Sequence, residues 1–371
     1  MKIALLDNDL RVGDASFTTG VQTYATHLQD GLKLLGHEVD IIGFTKSGRR
    51  TKATSLVPEY KIFKMKDQEE VLKDYDGIII LIGVFKPKED ENPYEFLRNL
   101  KKKYVVIEHS HNESYEKHGY KLLFDVIGKV PVACNSLAAQ KLYKDLYGLT
   151  ATVTRQPFSR RLLPEPIPKT ESEGKWRIAF PHRFIMFKRP DVTVKFLQEE
   201  IGEDINWRLN LYGKSNNGSM SSAVYWSDLK DQLDMPNTRT DNPFVDKRIF
   251  LLTPYSRSKL SEVYSNSDVT FHSSRTRGDG GRVEYTLLES IHFKTPIVMH
   301  PAWAEGLDPE LIDKVLIKNK TYVSMEKESV VQLSNDKLLQ MKLVREGNIM
   351  LDEHFDAQKI AQMFVDMLNN Q

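Results

Sequence analysis

The stretch from Ile3 to Phe44, IALLDNDLRVGDASFTTGVQTYATHLQDGLKLLGHEVDIIGF, carries the pattern that decides the fold. Two short apolar runs, Ile3–Leu6 and Val39–Phe44, flank a segment whose apolar residues recur at helical spacing. Those residues are Val21, Tyr24, Ala25, Leu28, Leu32 and Leu35. Gly36 directly after them is a helix-stop signal. The stretch therefore predicts a strand, a helix and a second strand.

The same alternation of apolar runs and helical patterns continues along the chain. In the first half, further strand-like runs lie at Gly77–Val84, Tyr104–Glu108 and Val130–Cys134. More follow in the second half, at Arg177–Phe180, Trp207–Tyr212, Arg248–Leu252, Val269–His272 and Pro296–His300. Helical patterns begin between them, near Pro190, Ser258 and Tyr285. Such alternation is typical of parallel sheets covered by helices, so we predict an α/β fold.

An interruption divides the chain in two. Residues 159–175 hold three prolines and scattered charges without periodicity, which indicates a linker. We therefore predict a Rossmann-like domain over residues 1–158 and a second one over residues 176–355, facing each other across a central cleft. Apolar residues at helical spacing within 356–371 indicate a terminal helix that can pack back on the first domain.

The composition excludes several classes of protein. With 371 residues, 40% of them hydrophobic, the chain is long enough for two cores. Its 52 basic and 51 acidic side chains leave a net charge of +1, so any polyanion must bind at a local basic patch. A single cysteine, Cys134, rules out an internal disulfide framework. The apolar runs are too short for a secretion signal or a membrane span, so we expect a soluble, cytoplasmic protein.

Positive charge and glycine occur at predicted strand ends, where open α/β sheets bind ligands. Arg183 and Lys188 follow a predicted strand, and two cations there suit a diphosphate whose charge grows as it leaves. A solvated basic turn is the alternative. Gly20 stands where the first helix begins and its N–H groups favour an anion or a sugar hydroxyl, although a tight turn explains it equally well. No Gly-x-Gly-x-x-Gly follows the first strand, which disfavours an NAD-dependent enzyme.

A glycine-rich loop leads into the helix near Tyr285. Its Gly280 and Gly281 let backbone N–H groups approach a phosphate or a sugar, and Glu284 and Glu289 can accept hydrogen bonds from sugar hydroxyls. Five residues of continuous helix would turn these two carboxylates about 140° apart. Both can face one ligand only if Glu284 lies in the loop or in the first turn. For Glu289 alone, a solvated helix carboxylate is the simpler interpretation.

His109 and His111 end a predicted strand of the first domain, again at the edge that binds ligands. One of them can donate a hydrogen bond to a transferred sugar, while a structural role is open for the other. No third ligand is spaced for zinc, and we interpret Asp7-Asn8-Asp9 as a turn. We therefore predict no metal site.

Taken together, these positions resemble the retaining GT-B glycosyltransferases over nearly the whole chain. That family has a first helix ending in a phrase like Leu35-Gly36-His37-Glu38-Val39, and an arginine five residues before a lysine, like Arg183 and Lys188. It also has Leu-Glu followed by Thr-Pro-Ile-Val, as in the segment from Leu288 to Val298. The resemblance implies that the two cations bind a diphosphate and that Glu289 holds the nucleotide ribose.

Two departures from that pattern lead to a narrower resemblance. Gly281 replaces the usual partner glutamate, and Lys294 replaces the usual glycine. The bacteriophage DNA α-glucosyltransferases, which modify 5-hydroxymethylcytosine, are similar at Glu284-Tyr285-Thr286-x-Leu288-Glu289, where their glutamates are likewise five apart. They also have two histidines like those on either side of Ser110, with an aspartate in place of Ser110 itself. A further similarity is the basic loop from Lys46 to Lys52. The role of that aspartate therefore does not carry over.

The narrower resemblance implies a retaining transferase that moves a sugar from a UDP-sugar, first of all UDP-glucose, to a hydroxymethylated pyrimidine in double-stranded DNA. The expected catalytic residues are Arg183, Lys188, Glu284, His109 and His111. The residues expected to bind the donor are Gly20, Arg183, Lys188, Gly280, Gly281, Tyr285, Thr286 and Glu289. Those expected to bind nucleic acid are Lys46, Arg49, Arg50 and Lys52. We expect a monomer that binds no membrane.

Three other interpretations stay open at this point. The acceptor could be a glycan, a lipid carrier or a small metabolite. A UDP-sugar 2-epimerase of the same architecture would need no acceptor and would act on the donor alone. A two-domain sugar-binding protein would not catalyse a reaction and would not need two cations on a leaving group.

Overall fold

A computed structural model gives the fold of the chain. The residues that it describes are 1–7, 20–45, 60–82, 97–98, 100, 102–108, 126–182, 184, 188–213, 246–252, 257–274, 283–304 and 315–371. Their strands form two sheets, and neighbouring strands pair in parallel throughout. Parallel neighbours need crossover connections, a role for which helices are the usual solution. The predicted α/β fold is confirmed.

The first sheet comes from the N-terminal part of the chain. Its strands are β1 (Lys2–Asp7), β2 (Glu38–Thr45), β3 (Tyr60–Lys64), β4 (Gly77–Ile82), β5 (Lys103–Glu108), β6 (Val132–Cys134) and β7 (Thr152–Val153). They lie in the order β3-β2-β1-β4-β5-β6-β7. The described helices of this part are α1 (Gly20–Leu34), α2 (Gln68–Leu72) and α3 (Leu137–Tyr147). The strand order reverses between β1 and β4, as it does in Rossmann-like sheets.

The second sheet repeats this plan. Its strands are β8 (Trp176–Phe180), β9 (Trp207–Tyr212), β10 (Ile249–Leu252), β11 (Val269–His272), β12 (Ile297–Met299) and β13 (Val323–Ser324). They lie in the order β10-β9-β8-β11-β12-β13, so the reversal falls between β8 and β11. The described helices that follow β8 are α4 (Pro190–Lys195), α5 (Leu260–Ser265), α6 (Tyr285–His292), α7 (Lys327–Asn335), α8 (Lys337–Met350) and α9 (Ala357–Asn369).

The central strands are apolar along their length because both faces of the sheet are covered. Ile3 and Leu5 of β1 pack into the cluster that contains α1, whereas Ala4 and Leu6 pack into the cluster on the opposite face. All four side chains are at most 1% exposed. Continuous apolar runs of this kind are what a two-sided parallel sheet needs, and they made the central strands visible in the sequence.

The strands that the sequence pattern missed lie at or near sheet edges. β3 follows β2 at one edge of the first sheet, and of its five residues only Tyr60 is buried. β7 and β13 have two residues each and close the other ends of the two sheets. A strand with one neighbour and few residues carries too little periodicity to be recognised.

Helix α9 returns to the first sheet and packs directly against α1. Ile360, Ala361 and Phe364 of α9 lie in the same buried cluster as the apolar face of α1. The two helices come so close at Gly31 that a Cβ added there would lie 2.1 Å from the carbonyl oxygen of Ala357. Only glycine fits at this crossing, because the obstructing atom belongs to the backbone.

The chain crosses between the two sheets at two adjacent places. The Phe158 N–H donates to the carbonyl of Phe355 (2.7 Å), and Phe158 forms an isolated bridge with Asp356. The Ser159 hydroxyl donates to Asp30 of α1 (2.6 Å), and Asp356 accepts from the Lys359 N–H at the beginning of α9 (2.9 Å). Both crossing segments are therefore fixed to the same helical pair.

We predict that Gly31→Ala destabilises the protein by about 1–3 kcal/mol, the usual cost of forcing extra atoms into a packed contact. Gly20→Ala on the same helix is the matched control, because nothing lies within 4 Å of a Cβ at that position. Chemical denaturation measures both variants. Equal free energies of unfolding for the two variants would contradict the account of the helix crossing.

Candidate active site

The strand-order reversal of the second sheet defines a crevice at the carboxyl ends of β8 and β11. In open α/β sheets, ligands bind in such a crevice because the chains leaving the two strands diverge there. β8 ends at Phe180 and is followed by His182, while β11 ends at His272 and is followed by Ser273 and Ser274. The polar side chains at this point are those that a bound ligand would meet.

An ion pair joins two segments that are far apart in sequence. The ammonium group of Lys188 contacts Oε1 of Glu284, and each side chain is about one-quarter exposed (21% and 24%). Glu284 has an extended backbone and precedes the first residue of α6, so it is not part of the helix. This is the position that allows Glu284 and Glu289 to serve one ligand in spite of their five-residue spacing.

The turn that carries Lys188 is held from β11. The Ser273 hydroxyl lies 2.9 Å from the carbonyl of Lys188 and 2.6 Å from the carbonyl of Arg189, and it accepts from the Thr193 hydroxyl at 3.0 Å. Arg189 adopts a left-handed conformation with φ of 49°, which costs a non-glycine residue about 1 kcal/mol or more. Ser273 thus fixes a strained turn, and through it the position of the Lys188 backbone.

A close backbone approach also shapes this edge of the sheet. A Cβ added to Gly213, directly after β9, would lie 2.5 Å from the carbonyl oxygen of His182 and 2.4 Å from the ring of Phe184. The glycine lets the end of β9 press against the segment that leaves β8. That contact determines the direction in which the chain leaves β8 towards Lys188.

Two buried histidines lie below the ion pair. Nε2 of His182 is 2.7 Å from Nδ1 of His272, and each residue is 3% exposed. Nδ1 of His182 lies 3.8 Å from Oε2 of Glu284. Burial lowers the pKa of His182 well below its usual range, and it lowers the pKa of His272 to about 3. Both rings are therefore neutral at physiological pH.

Glu289 is the fifth of the eight residues of α6 and is partly buried. Burial raises the pKa of its carboxyl to about 7, although the positive charge of Arg257 and a hydrogen bond with Tyr264 act in the opposite direction. A solvated surface carboxylate would not have such a pKa. Glu289 is therefore not fully solvated, and its predicted contact with a ligand stays a prediction.

Two buried hydroxyl groups, one in α6 and one just after β11, lack a hydrogen-bond partner in the part of the chain that the structure describes. They are Oγ1 of Thr286 in the first turn of α6 and Oγ of Ser274 after β11. An unsatisfied buried hydroxyl costs about 1–3 kcal/mol, so such groups need a water or a ligand atom. Together with the helix N-terminus they favour a polar ligand at this point.

Tyr285 links the second sheet to the first. Its hydroxyl donates to the carbonyl of Pro157 (3.0 Å), and its ring stacks on His27 of α1 with centroids 5.2 Å apart. His27 also stacks on Phe158 (5.4 Å) and accepts at Nδ1 from the Ser159 N–H (2.8 Å). The structure therefore places Tyr285 at the junction between the two halves.

His27 lies at this junction with its ring enclosed. Nη2 of Arg257 is 2.7 Å from Nε2 of His27, so a group from each half of the molecule meets there. Burial, followed by the positive charge of Arg257, lowers the pKa of the His27 ring well below its usual range. Because Arg257 also acts on Glu289, the junction is electrostatically connected to the candidate site.

Several predicted site residues lie outside the described residues, and their predicted roles stay untested. They are Arg183, His109, His111, Gly280, Gly281, Lys46, Arg49, Arg50 and Lys52. Gly20 is described as the exposed first residue of α1. Of the other predicted residues, Lys188 and Glu284 meet in the ion pair, Thr286 lies in the first turn of α6, and Glu289 lies farther along α6 near Arg257 and Tyr264.

The sequence analysis missed three side chains that the fold brings to this region: His182, His272 and Arg257. His182 stands immediately before Arg183 and His272 ends a predicted strand, so both lay at the ligand edge that the analysis used for other residues. Arg257 carried no signal, because its proximity to Glu289 arises only when α5 and α6 pack together.

Two further findings concern the described residues as a set. Within them, no group of three histidine, cysteine, aspartate or glutamate side chains is arranged to hold a metal ion. None of the helices built from them is both long and apolar enough to span a membrane.

Comparisons with known proteins place this fold among solved structures. No protein-family model matches the chain, and no curated protein matches its sequence. An α-glucosyltransferase in complex with UDP and a 13-mer DNA containing an HMU base is similar with a TM-score of 0.72 and 16% identity, over 100% of this chain and 99% of that chain.

Two other solved structures are similar over their whole length. Anabaena Alr3699/HepE in complex with UDP and glucose has a TM-score of 0.67 and 13% identity, covering 100% of both chains. Sucrose-phosphate synthase from Thermosynechococcus elongatus has a TM-score of 0.69 and 12% identity, covering 100% of this chain and 99% of that one. The chain therefore has the GT-B fold of these proteins, two Rossmann-like domains that face a central cleft.

Proposed function

We propose that this protein is a glycosyltransferase that binds a UDP-sugar in the crevice between β8 and β11. The observation that carries this proposal is the ion pair of Lys188, from the turn after β8, with Glu284, at the beginning of the helix that also carries Glu289. A cation beside one carboxylate, with a second carboxylate farther along the same helix, suits a ligand whose diphosphate lies between two groups that carry hydroxyls. Solved structures of this fold that contain UDP, including one with UDP and glucose, support the choice of nucleotide.

In this proposal, one end of the donor meets α6 and the other meets the residue that precedes it. Glu289 accepts hydrogen bonds from the ribose hydroxyls, and Glu284 lies nearer the sugar. The unsatisfied hydroxyls of Thr286 and Ser274 supply further partners for polar atoms of the ligand. The N–H groups in the first turn of α6 favour the negative charge of the diphosphate.

The reaction that fits this arrangement is sugar transfer with retention. When the glycosidic bond breaks, negative charge grows on the departing diphosphate, and Lys188 stabilises that charge together with Arg183. Binding of the diphosphate would compete with Glu284 for the Lys188 ammonium group, because Glu284 holds that group in the structure. The acceptor hydroxyl attacks the face from which the diphosphate leaves.

We further propose that the acceptor is a hydroxymethylated pyrimidine in DNA and that the donor is UDP-glucose. Two facts support this choice of acceptor. One similar solved structure holds DNA with an HMU base. In addition, the basic stretch from Lys46 to Lys52 begins directly after β2 ends at Thr45, on the carboxyl edge of the first sheet. Four cations within seven residues are the kind of cluster that binds phosphates.

Lys188→Ala and Arg183→Ala should each lower turnover by about 10²- to 10³-fold, because each removes one preorganised positive charge from the leaving group. Steady-state transfer assays measure this effect. Lys195→Ala, on the exposed face of α4, is the matched control and should keep normal turnover. Near-normal turnover in both active-site variants would refute the assignment.

UDP affinity should depend on the ionisation of Glu289. Below about pH 7 its carboxyl becomes protonated and accepts less strongly from the ribose, so UDP should bind more weakly as the pH falls from 8 to 6. The weakening attributable to this one proton is at most about tenfold per pH unit. Calorimetry on wild type and Glu289→Gln separates the effect of the Glu289 proton on UDP affinity from that of the UDP phosphate. The phosphate titrates near pH 6 and affects both proteins equally. Parallel affinity curves would exclude the ribose contact.

Duplex binding should weaken as salt rises, with a log–log slope of about −0.9 for each phosphate contact. Neutralising Arg49 and Arg50 together should make that slope shallower by up to about two units and raise the KM for DNA while leaving the KM for the donor unchanged. Neutralising Lys337 and Lys342, two exposed cations of α8, is the matched control. An unchanged slope in the Arg49 and Arg50 variant would remove these residues from the DNA surface.

The acceptor is tested by comparing DNA that contains 5-hydroxymethylcytosine, 5-hydroxymethyluracil or unmodified cytosine with each UDP-sugar. Sugar on the hydroxymethylated DNA alone supports the proposal. Efficient transfer to a glycan, a lipid or a small metabolite with none on DNA would replace the acceptor and leave glycosyl transfer intact. Epimerised sugar from the donor alone would indicate an epimerase instead.

A further inference from the structure

A chain of hydrogen-bonded buried polar groups runs from the candidate site into the interior of the second domain. It begins at His182, whose Nε2 meets Nδ1 of His272 at 2.7 Å. Nε2 of His272 meets Oγ1 of Thr270 at 3.3 Å, and Oγ1 of Thr270 meets Oγ of Ser290 at 3.0 Å. The chain ends at the carbonyl oxygen of Thr286, 2.7 Å from Oγ of Ser290.

The carbonyl at its far end fixes the direction of every hydrogen bond in this chain. A carbonyl oxygen only accepts, so the hydroxyl of Ser290 must donate to Thr286 and has no second proton for Thr270. The 3.0 Å contact between Ser290 and Thr270 therefore needs the proton of Thr270, which donates to Ser290 and also lies within reach of the carbonyl of Pro296 at 3.3 Å. Because that proton is used, Thr270 can only accept from Nε2 of His272.

The same reasoning sets the tautomers of both histidines. Because both rings are neutral, each carries one proton. The proton of His272 lies on its Nε2, so its Nδ1 accepts the hydrogen bond from His182. The proton of His182 must then lie on its Nε2, so Nδ1 of His182 carries a lone pair.

This lone pair faces the candidate site beside Glu284. Nδ1 of His182 is 3.8 Å from Oε2 of Glu284, and the other oxygen of the same carboxylate holds Lys188. An acceptor at this point attracts a group that donates, such as a hydroxyl, and repels a phosphate oxygen. In a bound nucleotide sugar, hydroxyl groups are the donors that could reach this point.

We propose that Nδ1 of His182 accepts a hydrogen bond from one hydroxyl of the transferred sugar, which makes His182 a specificity-determining residue. The buried chain from His272 to Thr286 holds the ring in the tautomer that accepts. This inference rests on the proposed function, since it names the part of the donor that the site recognises.

The kinetic test uses UDP-glucose and its four monodeoxy analogues, lacking the 2-, 3-, 4- or 6-hydroxyl. In the wild type, removing the recognised hydroxyl should lower kcat/KM by about 10- to 100-fold, the usual effect of leaving a buried acceptor unsatisfied. In His182→Ala, that penalty should shrink to about twofold, while the affinity for UDP itself stays unchanged. Unchanged penalties for every analogue would overturn the proposal.

A second variant removes a hydrogen bond that fixes the histidine tautomers, at a residue that does not contact the ligand. Thr270→Val deletes the acceptor of His272 Nε2 at nearly constant volume and should reduce the same penalty. The matched control is Ser267→Ala, which removes a buried hydroxyl that donates to the Val263 carbonyl outside this chain. The control should keep the full wild-type penalty. A reduced penalty in the control as well would mean that the effect is a general loss of structure.

Nitrogen-15 spectra of the wild type test the tautomers independently of any sugar transfer. The account expects a proton on Nε2 and none on Nδ1 in both His182 and His272 at neutral pH. A proton on Nδ1 of His182, free or with UDP bound, would overturn the inference. If the protein transfers no sugar at all, the proposed function fails, and the spectra still decide the histidine assignment.

Discussion

The parallel direction of all paired strands is the constraint on which the candidate site depends. It brings the carboxyl ends of β8 and β11 to one edge, although His182 and His272 are far apart in sequence. The same edge receives Lys188 from the turn after β8 and Glu284 from the segment before α6. Once the sheet forms, these side chains are brought to the same edge.

Burial gives the groups at this edge their chemical character. Glu289 and the two histidines have shifted pKa values chiefly because they are removed from water. A neutral histidine pair can transmit a fixed hydrogen-bond direction over several ångströms, which charged rings could not do. Lys188 and Glu284 remain partly exposed and pair with each other, so a ligand can still reach and separate them.

Much of the architecture could be predicted from the sequence because central parallel strands are continuous apolar runs. The edge strands β3, β7 and β13 were missed, since short strands with one neighbour carry little pattern. The position after a predicted strand identified Lys188, and the glycine-rich loop before a predicted helix identified Glu284, but the partners of these residues depend on packing between distant segments. Thus the contact of Tyr285 with Pro157 and the influence of Arg257 on Glu289 had no counterpart in any local motif.

The central claim is that the crevice between β8 and β11 holds a uridine diphosphate. A crystal structure with UDP tests it most directly. The account predicts the diphosphate within hydrogen-bonding distance of Lys188, which would have left Glu284, and the ribose hydroxyls on Glu289. UDP bound at another place, with Lys188 still on Glu284 and Glu289 without a ligand contact, would contradict it.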